Sequence, residues 1–357
     1  MDNLALGDIL QPTSSQIIRA ALIGNPNTGK TTLFNRLTGL NQKTGNYPGV
    51  TVERKIGRFT LGGRFVDLID LPGSYSLAAR SPDEILVSDI LLGRRPDEDP
   101  VNLVIVIVDA SNIQRNFYLL SQVFELGLPV VVALNMIDIA QSQGVSIDAD
   151  ALSRRLGAPV VPLSARRNIG LQELTQAIQA VISDGCRPPS EKPSFPYELR
   201  QALVSLRHWV QSNAPAEAPA IPEPELFRAL IDRGGYAEQR LQHRLGADFL
   251  NQLEHLRERC GKPTPLSSLE VKSRYDWINA VLQPCIKKSQ AASLSSTDRI
   301  DRILTHRLYG SLVFFVLMAL MFQSIYSWAA PIMDSIDAVF GAAGLQVARF
   351  VPEGALQ

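Results

Sequence analysis

Apolar runs of strand length alternate with helical periodicities through the first half of the chain. Ile17 to Ile23, Phe65 to Ile69, Val101 to Val108 and Pro129 to Leu134 read as strands, and no polar residue interrupts Leu103 to Val108. Such runs predict strands buried on both faces, hence a mostly parallel sheet covered by helices. Val160 to Leu163 reads as one more strand. Between strands, a helix from near Lys30 to near Gly39 turns Leu33, Phe34 and Leu37 to the core, and Gly170 to Ile182 has the spacing of an amphipathic helix. These elements place one α/β domain over residues 17–185, close to the usual domain size.

Pro188-Pro189 and the stretch through Pro196 mark a boundary. Residues 186–300 then read as a small all-α domain, interrupted by an Ala/Pro-rich stretch from Asn213 to Pro224 and carrying no catalytic constellation. Its expected role is packing or regulation. Residues 308–333 contain no charge, and their length exceeds the roughly 20 residues that cross a hydrocarbon core as a helix. Leu312 to Phe322 has no polar face, which distinguishes it from an ordinary core helix. A transmembrane helix with its lead-in is therefore expected over 301–333. Arg299, Arg302 and Arg307 precede it and Asp334 and Asp337 follow, so the positive-inside rule puts the N-terminal side in the cytosol. Residues 334–357, with apolar positions at helical spacing from Ile336 to Val351 around Gly341 and Gly344, suit an amphipathic or interfacial segment. One span with a short tail cannot enclose a substrate path, so these residues read either as a truncated piece or as one part of a larger assembly. The extension over residues 1–16 has neither a basic start nor an apolar core, so it does not read as a secretory signal.

Composition narrows the chemistry. The 357 residues hold 35 basic and 35 acidic side chains, so no global charge recruits nucleic acid or an anionic surface. No basic patch interleaved with aromatic residues is present either, and nucleic acid is not an expected partner. Cys186, Cys260 and Cys285 stand far apart without a C-x-x-C pair, and His208, His243, His255 and His306 lack metal-ligand spacing.

Three motifs supply what composition does not. Gly24-Asn25-Pro26-Asn27-Thr28-Gly29-Lys30-Thr31 fits G-x-x-x-x-G-K-[ST], in which backbone N–H groups wrap phosphates at a helix N-terminus. Asp70-Leu71-Pro72-Gly73 follows the second strand. Asn135-Met136-Ile137-Asp138 follows the strand Pro129 to Leu134, where a side-chain amide such as Asn135 and a carboxylate such as Asp138 can read guanine, the carboxylate accepting from paired N–H donors that adenine lacks. The set predicts an α/β P-loop GTPase that binds GTP and GDP. Lys30 is assigned to the β- and γ-phosphates, Thr31 and Asp70 to Mg²⁺, and the Gly73 N–H to sensing the γ-phosphate. Ser164-Ala165 is placed to close over the base. Ser74 stands where many GTPases put a glutamine that orients water, so intrinsic hydrolysis is expected to be slow.

The residues also carry a resemblance. Gly24 to Thr31 with Thr32-Leu33-Phe34-Asn35, then Gly45-Asn46-Tyr47-Pro48-Gly49-Val50-Thr51-Val52-Glu53, then Asp70 to Leu77, resemble the G domain of FeoB-type ferrous-iron transporters. Ser81-Pro82-Asp83-Glu84, Asp109-Ala110-Ser111-Asn112 with Arg115-Asn116, and Asp301-Arg302-Ile303-Leu304 resemble the same family. The resemblance implies a cytosolic GTPase joined through a helical element, similar to a GDP-dissociation inhibitor, to a domain carrying Fe²⁺ across the bacterial inner membrane. It further implies small cytosolic Feo-type partner proteins and a homo-oligomer. The glycine-rich stretch between Leu40 and Glu53 would form the mobile loop at the nucleotide, with Gly49, Val50 and Thr51 beside the ligand and Thr51 rather than Thr44 reaching Mg²⁺ because its Pro-Gly-Val-Thr context matches the family. Asn27 either ligates K⁺ in place of an arginine finger or fixes the loop by hydrogen bonds. Two other classes compete with a membrane-tethered GTPase: a soluble GTPase of ribosome or tRNA maturation, which the 308–333 segment disfavours, and a nucleotide-holding module without turnover.

Overall fold

Strand β1 (Ile17–Gly24) lies at the middle of a seven-stranded sheet in a computed structural model of the chain. The model describes residues 17–39, 42–47, 50, 52–184, 188–189, 191–214, 220–260, 264–288, 300 and 303–350. The chain divides into two bodies, Met1–Ala291 and Ala292–Gln357.

In the first body, α1 (Lys30–Thr38) follows β1. Then come β2 (Gln42–Asn46), β3 (Glu53–Leu61), β4 (Arg64–Asp70), α2 (Pro82–Leu91), β5 (Leu103–Asp109), α3 (Ile113–Glu125), β6 (Val130–Asn135), α4 (Ile137–Ser142), β7 (Val145–Ile147), α5 (Ala149–Leu156), β8 (Val160–Pro162) and α6 (Leu171–Ser183). The sheet runs β2-β3-β4-β1-β5-β6-β8. Strands β4, β1, β5, β6 and β8 are parallel, and β2 and β3 antiparallel. Alternation inside β5 shows why the run is uninterrupted: Val104, Val106 and Val108 pack with Phe117, Leu120 and Phe124 of α3, whereas Leu103, Ile105 and Ile107 pack in the opposite layer with α1 and α6. Register aligns Leu22 with Asp70, Gly24 with Ile107, and Asp109 with Asn135. All three motifs thus emerge at one edge, the carboxyl ends of the parallel strands, where α/β sheets bind ligands.

The segment before Glu53, expected as a glycine-rich loop, contains β2 instead, with Asn46 opposite Glu53. Its sequence QKTGN is exposed at every position, so no hydrophobic pattern announces it. Strand β3 was equally hidden by its charged residues. The available cue was Gly62-Gly63, both at positive φ (55° and 75°), as a two-residue hairpin turn requires. Helix α2 starts with a capping box: the Glu84 N–H donates to Ser81 Oγ at 3.3 Å, and Glu84 Oε2 accepts from the Ser81 N–H at 3.3 Å.

Helices α7 (Tyr197–Asn213), α8 (Glu223–Ile231), α9 (Tyr236–Leu245) and α10 (Ala247–Cys260) enclose their own core around Leu206, Phe227, Leu230 and Leu253. The segment expected as a separate helical domain is nevertheless tied back to the sheet layer. Helix α11 (Leu266–Leu282) starts in the helical core at Leu266, then gives Ile278, Val281 and Leu282 to the cluster beneath β5. Strand β9 (Ile286–Lys288) pairs antiparallel with β7. Side chains reinforce the junction. Arg274, fully buried, donates to Ser121 Oγ (3.0 Å), Glu125 Oε2 (2.8 Å) and Glu270 Oε1 (2.7 Å). Arg94 pairs with Glu225 at 2.7 Å, and Tyr236 O–H donates to Asp89 at 2.9 Å.

The second body is helical: α12 (Tyr309–Gln323), a π-helical turn Ser324–Trp328, and α13 (Ala329–Phe350). Tyr309–Gln346, 38 residues containing an 18-residue window of mean hydropathy 1.8, is long and apolar enough to cross a membrane. At 1.5 Å per residue it extends about 57 Å, well beyond the roughly 30 Å hydrocarbon core. Helix α13 passes through Met333 and Asp334 without a break. Arg299 and Arg302 lie outside the described residues, as does Val351.

Candidate nucleotide site

The phosphate cradle is built where β1 stops. A Cβ on Gly24 would lie 2.4 Å from Ile107 Cγ2 and 2.6 Å from its carbonyl oxygen, so β5 admits only glycine there. Asn27 (φ 64°) and Gly29 (φ 87°) are both left-handed, curling the backbone round, and Thr28 Oγ1 donates to the Asn25 carbonyl at 2.8 Å. Helix α1 begins directly at Lys30 with neither a side-chain cap nor an acidic residue in its first turn. Its leading N–H groups and dipole are therefore aimed at whatever the loop encloses, which is how helix N-termini hold phosphate. Thr31 and Thr32 are exposed at this mouth, as are Pro26 and Asn27. Asn25 is buried with both amide atoms unpartnered.

Strand β4 delivers Asp70, whose carboxylate is in direct contact with Lys30 Nζ. The Thr31 hydroxyl and the Asp70 carboxylate are hard oxygen donors of the kind Mg²⁺ takes, one or two from protein and the rest from phosphate and water. The residues present fit that ion. Beyond Asp70 the chain lies along the cradle: the Leu71 N–H donates to the Leu22 carbonyl and the Ser74 N–H to the Gly24 carbonyl, each at 3.1 Å. Leu71 itself is core, with 0% exposure, whereas Gly73 is exposed, and a Cβ added there would lie 3.3 Å from the Pro26 nitrogen. Ser74 is buried and its hydroxyl donates to the Ser76 carbonyl at 2.5 Å.

The base end is organised by Asn135. Its Nδ2 donates to the Thr28 carbonyl at 2.8 Å and its Oδ1 accepts the Ala165 N–H at 2.9 Å, bracing phosphate loop and base loop against each other. The sequence assigns Asn135 to the base. In the structure the carboxamide first joins two loops, leaving one N–H for a ligand. Met136 is left-handed (φ 61°), which swings Asp138 to the same edge, where it meets Arg167 Nε at 3.0 Å. Ser164 and Ile169 pair through two main-chain bonds of 3.0 and 3.1 Å that shape the base loop.

Of the mobile loop, Gly49 and Thr51 lie outside the described residues. Val50 packs against the core, its N–H donating to the Tyr47 carbonyl at 3.2 Å. Thr44 sits in exposed β2 opposite Lys55. Tyr47 is buried between the guanidinium groups of Arg54 (5.9 Å) and Arg95 (5.8 Å), and burial, then Glu98, pushes its pKa up to about 12. Glu98 pairs with Arg54 at 2.7 Å and with Arg19 more closely, tying β3 to β1 beside this loop. Sequence reading does not single out Glu98, Arg167 or Gln122. For Gln122 a signal existed, a polar residue one helical turn after Tyr118 and Leu119 in a helix whose other side carries Phe117, Leu120 and Phe124.

A phosphate cradle, an Asp-x-x-Gly segment lying against it and a guanine-type carboxylate in the helix that follows a third parallel strand together define the fold and site of a P-loop GTPase G domain. Residues 18–178 match the family model described as Ferrous iron transport protein B. The chain is 36% identical to the cytosolic domain of Legionella pneumophila FeoB, superposing with a TM-score of 0.62 over 76% of this chain and 100% of that one. A mutant S. thermophilus NFeoB bound to mGDP superposes at 0.64 with 31% identity, over 75% of this chain and 99% of that one. In sequence, the chain is 35% identical over 353 residues to an Fe(2+) transport protein A/Fe(2+) transporter FeoB fusion protein of Porphyromonas gingivalis, a match that spans 96% of this chain and 41% of the relative. The chain belongs to the FeoB family. It spans about two fifths of the length of the curated relatives it matches. Neither the family match nor these neighbours support the ribosome or tRNA alternative.

Proposed function

We propose that the chain binds GTP, hydrolyses it to GDP and phosphate, and through its nucleotide state governs Fe²⁺ passage in a membrane assembly of which it is the cytosolic part and one span. The observation that carries this reading is the meeting of Lys30, Asp70, Gly73, Asn135 and Asp138 at one edge of the sheet. Lys30 neutralises the terminal phosphates, the α1 N-terminus and cradle amides hold them, and the Asp138 carboxylate accepts from the guanine N–H pair after parting from Arg167. Gly73, exposed beside Pro26, presents its N–H to the γ-phosphate. Thr31 and Asp70 would hold Mg²⁺, which would supply positive charge to balance that developing on the transferred phosphoryl group. Thr51 would complete that set when the loop orders.

Turnover is slow in this reading because the Ser74 hydroxyl is engaged with its own turn rather than directed at water. The left-handed, exposed Asn27 at the cradle mouth is placed to ligate K⁺. Helix α12 carries no buried residue, so its continuous apolar surface calls for lipid as solvent, with the G domain on the cytoplasmic side of the bacterial inner membrane. The fused relative supports an FeoA-like partner for the assembly.

The test is phosphate release from GTP and ATP by the 357-residue chain in detergent micelles, in KCl and in NaCl, with Asp138→Ala beside it. GTP-selective turnover is expected, and the variant should weaken GTP binding about 10- to 100-fold, the worth of one or two charge-assisted hydrogen bonds. Preference for ATP would overturn the assignment, GTP-selective binding without turnover would leave a nucleotide sensor, and equal rates in both salts would remove K⁺.

A further inference from the structure

We propose that Gln122 is a positioning residue for GTP hydrolysis, holding from helix α3 the turn that follows Gly73; the inference rests on the hydrolase reading above. Gln122 is 2% exposed, one helical turn beyond Tyr118 and Leu119 and on the side of α3 opposite Phe117, Leu120 and Phe124. A buried carboxamide among apolar side chains is costly unless its hydrogen bonds are made. Its Oε1 accepts the Leu77 N–H at 2.6 Å and the Ser76 hydroxyl at 3.1 Å. Ser76 Oγ in turn accepts the Ala78 N–H at 3.0 Å, and the Ser76 carbonyl accepts the Ser74 hydroxyl. One acceptor atom therefore anchors a knitted turn from Ser74 to Ala78.

That turn bears directly on the reacting end of the site. The Ser74 N–H is bonded to the Gly24 carbonyl, and Gly73 lies against Pro26, so the position of the turn fixes where the Gly73 N–H stands relative to the cradle. With serine rather than glutamine at position 74, catalysis depends on main-chain groups held in place, and Gln122 is the side chain that holds them. Its Nε2 is buried without a hydrogen-bond partner, so the acceptor end alone supports the turn. The two ends can consequently be separated experimentally. Gln122→Met keeps length and bulk but removes the acceptor, whereas Gln122→Glu keeps an acceptor oxygen and removes the donor.

The experiment is single-turnover GTP hydrolysis by the full chain in detergent, with binding of a fluorescent GDP analogue measured on the same preparations. For Gln122→Met the hydrolysis rate should fall about 10- to 100-fold, as expected when a reacting group shifts by a fraction of an ångström to about 1 Å. Its nucleotide affinity should stay within about twofold, the split that marks loss in the transition state alone. Gln122→Glu should recover most of the rate. A Gln122→Met rate equal to wild type overturns the proposal, and so does a Gln122→Glu rate as low as that of Gln122→Met. A fall in affinity parallel to the fall in rate also overturns it, since Gln122 would then only support the fold. Wild-type chain that binds GTP without turnover refutes the hydrolase reading and this inference with it, whereas normal turnover in Gln122→Met refutes the inference alone.

Discussion

Replacing Arg274 by methionine removes the guanidinium that joins α11 to α3. Arg274 is fully buried and donates to Ser121, Glu125 and Glu270, and it lies 5.3 Å from the Phe195 ring and 5.9 Å from that of Tyr118. Glu270 keeps Arg228, but Glu125 loses the cation that its carboxylate meets at 2.8 Å. Breaking a buried pair by removing one partner costs about 3–5 kcal/mol, and the two ring contacts add about 0.5–1 kcal/mol each. At roughly 2–3 °C per kcal/mol for a body of this size, Tm should fall by about 8–20 °C. The assay is thermal unfolding followed by circular dichroism in detergent, with Arg274→Met/Glu125→Gln as a second variant. Removing the stranded charge should restore about half of the loss. The pH dependence gives an independent check. Burial already raises the Glu125 pKa against the pull of Arg274, and without Arg274 it rises further. For an acid whose folded pKa is raised, folding is favoured while the group is protonated and the advantage is lost as pH rises. The deficit of Arg274→Met should therefore be smaller near about pH 5 than near about pH 8. A fall in Tm below about 3 °C, or a deficit that grows toward acid, would refute the argument.

Three further outcomes follow from local geometry. Gly29→Ala should lower stability by about 1–2 kcal/mol for a left-handed non-glycine residue. It should also weaken GDP binding, because the new Cβ would stand 2.4 Å from Asn135 Nδ2; unchanged fluorescent-nucleotide affinity would contradict this. Tyr47→Phe should leave Tm unchanged or raise it, since the buried hydroxyl has no hydrogen-bond partner and such groups cost about 1–3 kcal/mol. A drop of several degrees would show that the hydroxyl is bonded. Burial pushes the Glu270 carboxyl up, but Arg228 and Arg274 together hold it below the usual carboxylate range. Its contribution is present above its unfolded pKa of about 4.3 and is lost as pH falls through the folded value, so Glu270→Gln should flatten the acid limb of the Tm profile below that pH.

Legibility followed the range of the interactions. Apolar strands buried on both faces declared themselves because their pattern is local, as β5 shows. The cradle was equally legible, because a phosphate-binding loop is made by the backbone of consecutive residues. The exposed strand β2 and the half-buried, charged strand β3 escaped, since their pairing partners rather than their own polarity make them strands. Helix α13 runs on past Met333, because two aspartates interrupt the apolar run without interrupting helical hydrogen bonding.

By itself the sequence determined the G-domain class, the strands that carry its three motifs and the apolar stretch before Met333. Each depends on residues within a few positions of one another, where side-chain chemistry and backbone conformation suffice. Only the tertiary structure decided that Asn135 braces Thr28 against Ala165, that Gln122 holds the turn after Gly73, and that α11 returns from the helical core to the sheet layer. Arg274 and Ser121 are 153 positions apart. No local pattern specifies such a contact, because it exists only once the packing of two layers has excluded water and left each buried polar group the partners that the fold supplies.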